Sequence, residues 1–231
     1  MKKLLFIIFC LTFSTPALAQ QTIFNAPSAE VAQKGRIFTQ GEFQFRPWKP
    51  GRFMLNTDYF AVGIGHNTEL DMTLFNVQSP ASNNITLGTG FKSAIPLFKE
   101  KLPKTELKAI IGTEVLASLE GNGAGNWSYA ALSGRVPKVN TRLTAGVSYG
   151  TKDIFGVDTV AFIGGVEQPI TKNFGLQADW YSGKEHFAGF FIPGFYYAFP
   201  KDVTLYAGYQ IPNSSKNGVS GFVIELAKLL P

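Results

Sequence analysis

The chain has 231 residues, 45% hydrophobic, 14% aromatic and only 16% charged, with a formal net charge of +5. The 21 Phe and 8 Tyr exclude a disordered chain, and 24 Gly with 13 Pro argue against long helices. No apolar run after the N-terminus reaches the roughly 20 residues that a membrane helix needs, and the weak positive charge does not point to nucleic acid.

Residues 1–19 have the form of an export leader. Lys2 and Lys3 are followed by the apolar run Leu4–Phe13 and by Ala17-Leu18-Ala19, a small-x-small cleavage site before Gln20. Cys10, the chain's single cysteine, belongs to that apolar run, so the exported chain is expected to have no disulfide. Residues 20–36 (QQTIFNAPSAEVAQKGR) have no strand periodicity. They are expected as a partly ordered N-terminal periplasmic segment, with insertion into a lumen as the alternative.

From residue 37 onward the pattern has period two. In Arg142–Gly150, Leu143, Ala145, Val147 and Tyr149 share one face, and Arg142, Thr144, Gly146 and Ser148 share the other. Phe174–Tyr181 and Thr204–Ile211 alternate in the same way. Twelve strands are expected: 37–46, 52–64, 68–77, 84–95, 105–119, 126–136, 141–150, 158–168, 174–182, 188–199, 203–212 and 219–229. Three are irregular. Strand 52–64 has mixed faces, 188–199 is apolar on both, and 105–119 also fits a helix through Leu107, Ile111, Val115 and Leu119. The shared parity of Glu106, Lys108, Glu114 and Ser118 favours a strand there.

The connections alternate as well. GHNT (65–68), VPKVN (136–140), TKN (171–173) and PKD (200–202) are tight. EGNGAGN (120–126), TKDIFGVD (151–158), SGKEHFA (182–188) and PNSSKNG (212–218) are longer or richer in Gly and Ser. WKPG (48–51) and the stretch around FKEKLPK (98–104) break the rule. Long loops at one end and short turns at the other suit a barrel between the cell exterior and the periplasm.

Alternation of this kind lets a sheet face lipid on one side and water on the other, provided it closes, because an open edge in lipid leaves backbone groups unpaired. The fold expected is all-β: a closed, antiparallel, up-and-down transmembrane β-barrel over 37–231, of about twelve strands, with ten as the alternative. Gly88, Gly90, Gly112, Gly134, Gly146 and Gly208 share parity with the polar residues. A soluble sandwich would rarely place so many glycines on its solvated face, so that distribution favours the membrane barrel. Trp48, Trp127, Tyr149, Trp180, Phe199 and Tyr209 lie near strand ends and are expected at the membrane interfaces.

The signal peptide, the alternating strands and the aromatic strand ends together resemble Gram-negative outer-membrane β-barrel proteins of the small porin type. The resemblance covers 37–231 and is architectural. It implies an outer-membrane location, with membrane lipids, barrel-insertion machinery and small solutes as partners. The Pro27-Ser28-Ala29 stretch resembles the lead-in of some envelope barrel proteins. One departure is the ending Ala227-Lys228-Leu229-Leu230-Pro231, which lacks a terminal aromatic residue.

The charges Glu69, Asp71, Lys92, Glu106, Lys108, Glu114, Arg142, Glu167, Asp179 and Glu225 fall on the interior parity. A lysine or arginine on the lipid face at mid-membrane would cost about 2–4 kcal/mol, so these side chains should line the lumen. They could form a wet path for small polar solutes or a salt-bridged filling of a structural barrel, and acids outnumber bases among them, so a pore would favour cations. Two other functions compete. An outer-membrane lipid-modifying hydrolase would use Ser182 and His186, which share a hairpin loop beside Asp179, but a solvated loop is the simpler reading of those residues. A soluble secreted β-barrel or sandwich would turn its apolar faces inward. His66 lies at the opposite end from His186, no cluster has metal-ligand spacing, and GNGAGN (121–126) lacks the Lys-Ser/Thr and helix of a phosphate loop. No cofactor, metal, nucleic acid or catalytic activity is therefore expected.

Overall fold

The structure, a computed structural model, describes residues 22–48, 53–77 and 84–231. The leader and Cys10 lie outside the described residues. Twelve strands follow in order: β1 (Ile37–Arg46), β2 (Phe53–Gly65), β3 (Thr68–Phe75), β4 (Thr86–Pro96), β5 (Lys108–Ser118), β6 (Ala124–Val136), β7 (Thr141–Gly150), β8 (Val160–Pro169), β9 (Phe174–Tyr181), β10 (Phe190–Phe199), β11 (Val203–Pro212) and β12 (Gly221–Leu230). Each pairs antiparallel with its sequence neighbours, and β1 pairs with β12 from Ile37↔Leu230 to Phe45↔Phe222, so the sheet closes with no free edge. Segment 105–119 is a strand, as its parity indicates.

At one end, the terminal end, β1 begins and β12 finishes. Here β2 and β3 are joined by His66 and Asn67, both at positive φ (52° and 56°), as a two-residue hairpin of the primed type requires. The opposite, loop end carries a four-residue helix, α1 (Lys152–Phe155), between β7 and β8.

The period-two pattern becomes two faces. Outward side chains are apolar and exposed around the girth: Phe162 is 65% exposed, Val115 59% and Leu132 54%. On the interior face of β1, Phe38, Gln40, Glu42 and Arg46 are buried and Gln44 is half-buried. A closed sheet with an apolar outer belt and polar buried groups inside suits lipid outside and polar contents within. Among the described strand charges, only Asp58 and Lys228 lie on the outward parity.

Residues 22–36 are not a tail outside the barrel. Residues 22–32 run inside it, with Ile23, Phe24, Ala26, Ser28, Ala29 and Ala32 buried to within 3% of complete, and 33–35 emerge exposed. Ile23 and Phe24 pack against Phe190, Ile192, Tyr196, Tyr206 and Val223 in one cluster. Ala26 and Ala29 join Ile110, Tyr129, Ala131, Ile163 and Tyr181 in another. This explains why β10 is apolar on both faces: Phe191, Phe195 and Phe199 face out, while Phe190 and Ile192 meet the inserted segment.

A lysine at Leu132, in the outer belt, is expected to lower unfolding free energy in lipid vesicles by about 2–4 kcal/mol. Phe199→Lys, at the terminal rim, should cost about 1 kcal/mol or less. Equal costs at both depths in urea titrations would contradict a lipid-facing belt.

Candidate functional site: a lumen occupied by the N-terminal segment

The interior charges and the inserted segment meet group by group. Asp179, on β9, is 2% exposed. Its Oδ2 accepts the backbone N–H groups of Phe24 (3.1 Å), Asn25 (2.6 Å) and Ala26 (2.5 Å). Three consecutive N–H groups converge on one oxygen because the segment turns there, with Ile23 N–H donating to Ala26 C=O at 2.7 Å and Thr22 bridging Pro27. Such a concave run of N–H groups is an anion cradle, and the anion it holds is a side chain of the barrel wall. Gln177, two residues earlier on the same strand face, donates to Ile23 C=O at 2.6 Å, and the Tyr181 hydroxyl donates to Asn25 C=O at 3.3 Å.

Closer to the terminal end, Glu69 accepts Ala32 N–H at 2.6 Å through one oxygen and pairs with Lys92 at 3.0 Å through the other. Lys108 donates to Ala29 C=O at 2.8 Å. Glu30 of the segment lies 2.9 Å from Arg142 and 3.7 Å from Lys108. Arg142 also reaches Glu106, 3.1 Å away, which in turn pairs with Arg135. The segment leaves the lumen beside β2, where Gly35 N–H donates to Gly63 C=O and Gly63 N–H to Arg36 C=O.

The wall is shaped for this occupant. A Cβ at Gly165 would stand 2.3 Å from Ile23 Cδ1, and one at Gly208 would stand 2.8 Å from Phe24 Cζ. At Gly63 the added carbon would lie 2.1 Å from Gln33 C=O. At Gly63 the obstacle is backbone and no side chain fits, and at Gly165 and Gly208 an added carbon would push Ile23 or Phe24 aside, so these interior glycines act as sockets for the segment.

Other interior carboxylates are held by neutral donors. Glu42 accepts from Gln44 at 2.6 Å and Tyr59 at 3.3 Å, Glu114 from Thr73 at 2.9 Å, and Glu225 from Gln40 at 3.0 Å. Near the loop end, between the tip of the segment and α1, is a cavity of about 380 Å³ lined by Thr22, Glu42, Tyr59, Glu114, Trp127 and Tyr181, among others. An adjoining one of about 390 Å³ is lined by Gln44, Arg46, His186, Phe190 and Gln210, among others.

Three loops narrow the mouth above these cavities. Phe155 of α1 packs on Trp127 and on the His186 ring, with centroids 6.3 and 5.1 Å apart. Phe187 N–H donates to Phe155 C=O at 2.9 Å, and the side chain of Asn217 donates to His186 C=O at 2.6 Å. Asp158 accepts the N–H groups of Glu185 and Lys184, which hold its carboxyl below the usual range.

Of the charges expected from parity to line the lumen, Glu69, Asp71, Lys92, Lys108, Glu114, Arg142, Glu167, Asp179 and Glu225 fall on interior-facing strand positions, whereas Glu106 is a correction: it precedes β5 in a turn at positive φ and is exposed. Glu42 and Arg46 are interior charges that the sequence reading missed; their parity on β1 would have identified them. Trp48, Tyr149, Trp180 and Phe199 are exposed near strand ends, and Tyr209 lies on the outer face against Phe222. Trp127 is a correction. It shares the parity of Tyr129 and Ala131 and turns inward against Tyr129 and Phe155, not toward an interface. The 182–188 loop is a second correction. His186 is 1% exposed, not solvated. Ser182 and His186 do not form a catalytic pair: Ser182 Oγ accepts Phe162 N–H, and His186 Nδ1 accepts Ala188 N–H. Among the described residues no group of three His, Cys, Asp or Glu is placed to hold a metal.

Comparison of the fold with solved structures places it among outer-membrane barrels. The KdgM porin superposes with TM-score 0.53 at 8% identity, covering 85% of this chain and 98% of that one. The NanC porin gives 0.50 at 14% identity, over 84% and 98%. The COG4313 outer membrane channel from Pseudomonas putida F1 gives 0.50 at 10%, over 88% and 98%. At such identities the likeness is one of fold. No family model matches the chain, and no curated protein matches it in sequence.

Two outcomes test this arrangement. With residues 1–19 removed, a cysteine at Ser28 (Ser28→Cys) should react slowly with a water-soluble maleimide. Adding Asp179→Asn, which removes the charge from the cradle, should speed labelling roughly tenfold or more, since a hydrogen bond to a charged group contributes about 1.5–3 kcal/mol. The second concerns pH. Burial pushes the His186 pKa down from its ordinary value near 6.5, against a small opposing pull from Asp158. The packed loop therefore binds its proton less readily than the open loop, and the packing weakens as pH falls below about 6.5. Protection factors of the amides across 182–189, which remove the intrinsic pH dependence of exchange, should fall between pH 7.5 and pH 5 in the native chain and stay level in His186→Phe.

Proposed function

We propose that the chain is a non-enzymatic outer-membrane channel for small polar solutes whose lumen is held shut by its own N-terminal segment. One observation supports this above the rest: three charged side chains of the wall, Asp179, Glu69 and Lys108, bond the backbone of residues 24–32, and Gln177 and Tyr181 bond it beside them. Removing the segment would uncover a lined path without breaking any strand pair. The neighbours in fold are porins and channels, and one KdgM porin was solved in complex with disordered oligogalacturonate. The apolar belt supports an outer-membrane location with lipids around it and delivery by barrel-insertion machinery. Residues 1–19 support export. On this reading the terminal end faces the periplasm, and the segment enters from that side.

The interior supports a cation preference once the segment leaves. Glu42, Glu69, Asp71, Glu114, Glu167, Asp179 and Glu225 face Arg46, Lys92, Lys108 and Arg142 across the lumen. Rings of carboxylates bias a pore toward cations.

Planar-bilayer recording is the test. The chain lacking residues 1–19 should be nearly silent. Further deletion of 22–32 should give steady conductance, with reversal potentials favouring cations. A deletion barrel that is folded, by heat-dependent gel mobility, yet silent would leave a structural barrel as the function.

A further inference from the structure

We propose that the lumen is a peptide-binding site and that residues 22–32 are its tethered occupant. With the segment withdrawn, the same groups would take a short peptide from solution, one that turns at its N-terminal end and carries one bulky pair there, with small side chains and a single acidic residue beyond it. The inference deepens the channel reading, because the site lies on the proposed path, but binding can be measured without conductance.

The chemistry of the wall identifies the ligand class. A lumen evolved only to pass ions needs charge and water; a lumen that holds a peptide needs alternating acceptors for N–H and donors for C=O. The second is what lines this barrel. Asp179 and Glu69 accept N–H groups near the two ends of the segment. Between and beside them, Gln177, Tyr181 and Lys108 donate to the carbonyls of Ile23, Asn25 and Ala29. These bonds read main chain, so they are available to any peptide that follows the same course.

Side-chain preference comes from space and charge. Ala26, Ser28, Ala29 and Ala32 are buried against the wall, which favours small side chains at those positions. Gly165, Gly194 and Gly208 form the socket for the one bulky pair, Ile23 and Phe24. Arg142 and Lys108 flank Glu30 and select an acid at that position. A sugar or an inorganic ion would satisfy only part of this set. The tether explains why the site is filled here, since a linked ligand acts at an effective concentration in the millimolar range.

The experiment uses a synthetic peptide of residues 22–33, TIFNAPSAEVAQ, labelled at its C-terminus, and the barrel deleted of 22–32, in detergent. Fluorescence anisotropy should show saturable binding. Glu30→Gln in the peptide should weaken it roughly tenfold, because a bond to a charged partner is lost, and Asp179→Asn in the barrel should weaken it similarly. A scrambled peptide should not bind, and the undeleted chain should bind little because its own copy competes. As a second arm that needs no deletion, the full exported chain carrying Glu30→Gln in its own segment, with the wall unaltered, should admit the labelled peptide more readily than the unaltered chain, because only the tethered copy loses its bond to Arg142. In bilayers the peptide should block the deletion barrel in a concentration-dependent manner. Absence of binding by a folded, conducting deletion barrel, or equal binding of the scrambled peptide, overturns the peptide site and leaves the channel standing. Specific binding to a barrel that never conducts supports the site and removes the channel.

Discussion

Everything in this molecule depends on how the buried carboxylates of the wall are solvated. A barrel in lipid must turn its polar side chains inward, and an ion taken out of water costs several kcal/mol unless partners replace the water. Asp179 is the clearest case: fully enclosed, it is surrounded by three peptide N–H groups from the chain's own N-terminal segment. The segment in turn needs the wall, because its unpaired N–H and C=O groups would otherwise be buried without partners. Neither half is stable in this arrangement alone. Insertion of the segment and charge on the wall are therefore two views of one interaction.

That mutual dependence organises features that otherwise look unrelated. Gly63, Gly165, Gly194 and Gly208 make sense once Ile23, Phe24 and Gln33 are seen pressed against them, while Gly88, Gly112 and Gly146 make room for neighbouring wall residues. The inward apolar residues of β10 are the floor for Phe24. The pairing of Arg142 with both Glu30 and Glu106 links the segment to the terminal rim. The segment's burial also makes the lumen a place of two zones: a packed half toward the terminal end and a half toward the loop end, where cavities remain beneath the three loops.

The sequence revealed the wall and concealed its occupant, for reasons of distance. Strand alternation is a local property, so all twelve strands were legible within a few residues of their observed ends, and so were the interior faces of Glu69, Asp71 and Glu225. Residues 22–32 follow no period because their partners come from many different strands; Asp179 lies 153–155 positions away from the N–H groups it accepts. Two signals were nonetheless present. Strand 188–199 was apolar on both faces, which a lumen filled only with water would not tolerate, and glycines clustered on the polar parity. Trp127 was assigned by its nearness to a strand end, although its parity with Tyr129 already placed it inside. The 182–188 loop seemed solvated because a loop's packing against other loops leaves no trace in its own composition.

Closure and selectivity cannot be tuned independently in such a design. The groups that would discriminate among solutes in an open lumen are the same ones that hold the segment in the closed one. Weakening Asp179 loosens the segment and removes a negative charge from the path together; strengthening Glu69 or Lys108 would tighten both the closed state and any passing solute that resembles the segment. A lumen under that constraint drifts toward ligands that look like its own N-terminus, because every wall residue retained for closure is also retained for recognition. The physical basis of that drift is the hydrogen-bonding pattern of the peptide group. It is identical in the tethered segment and in a free peptide, and different in an ion or a sugar.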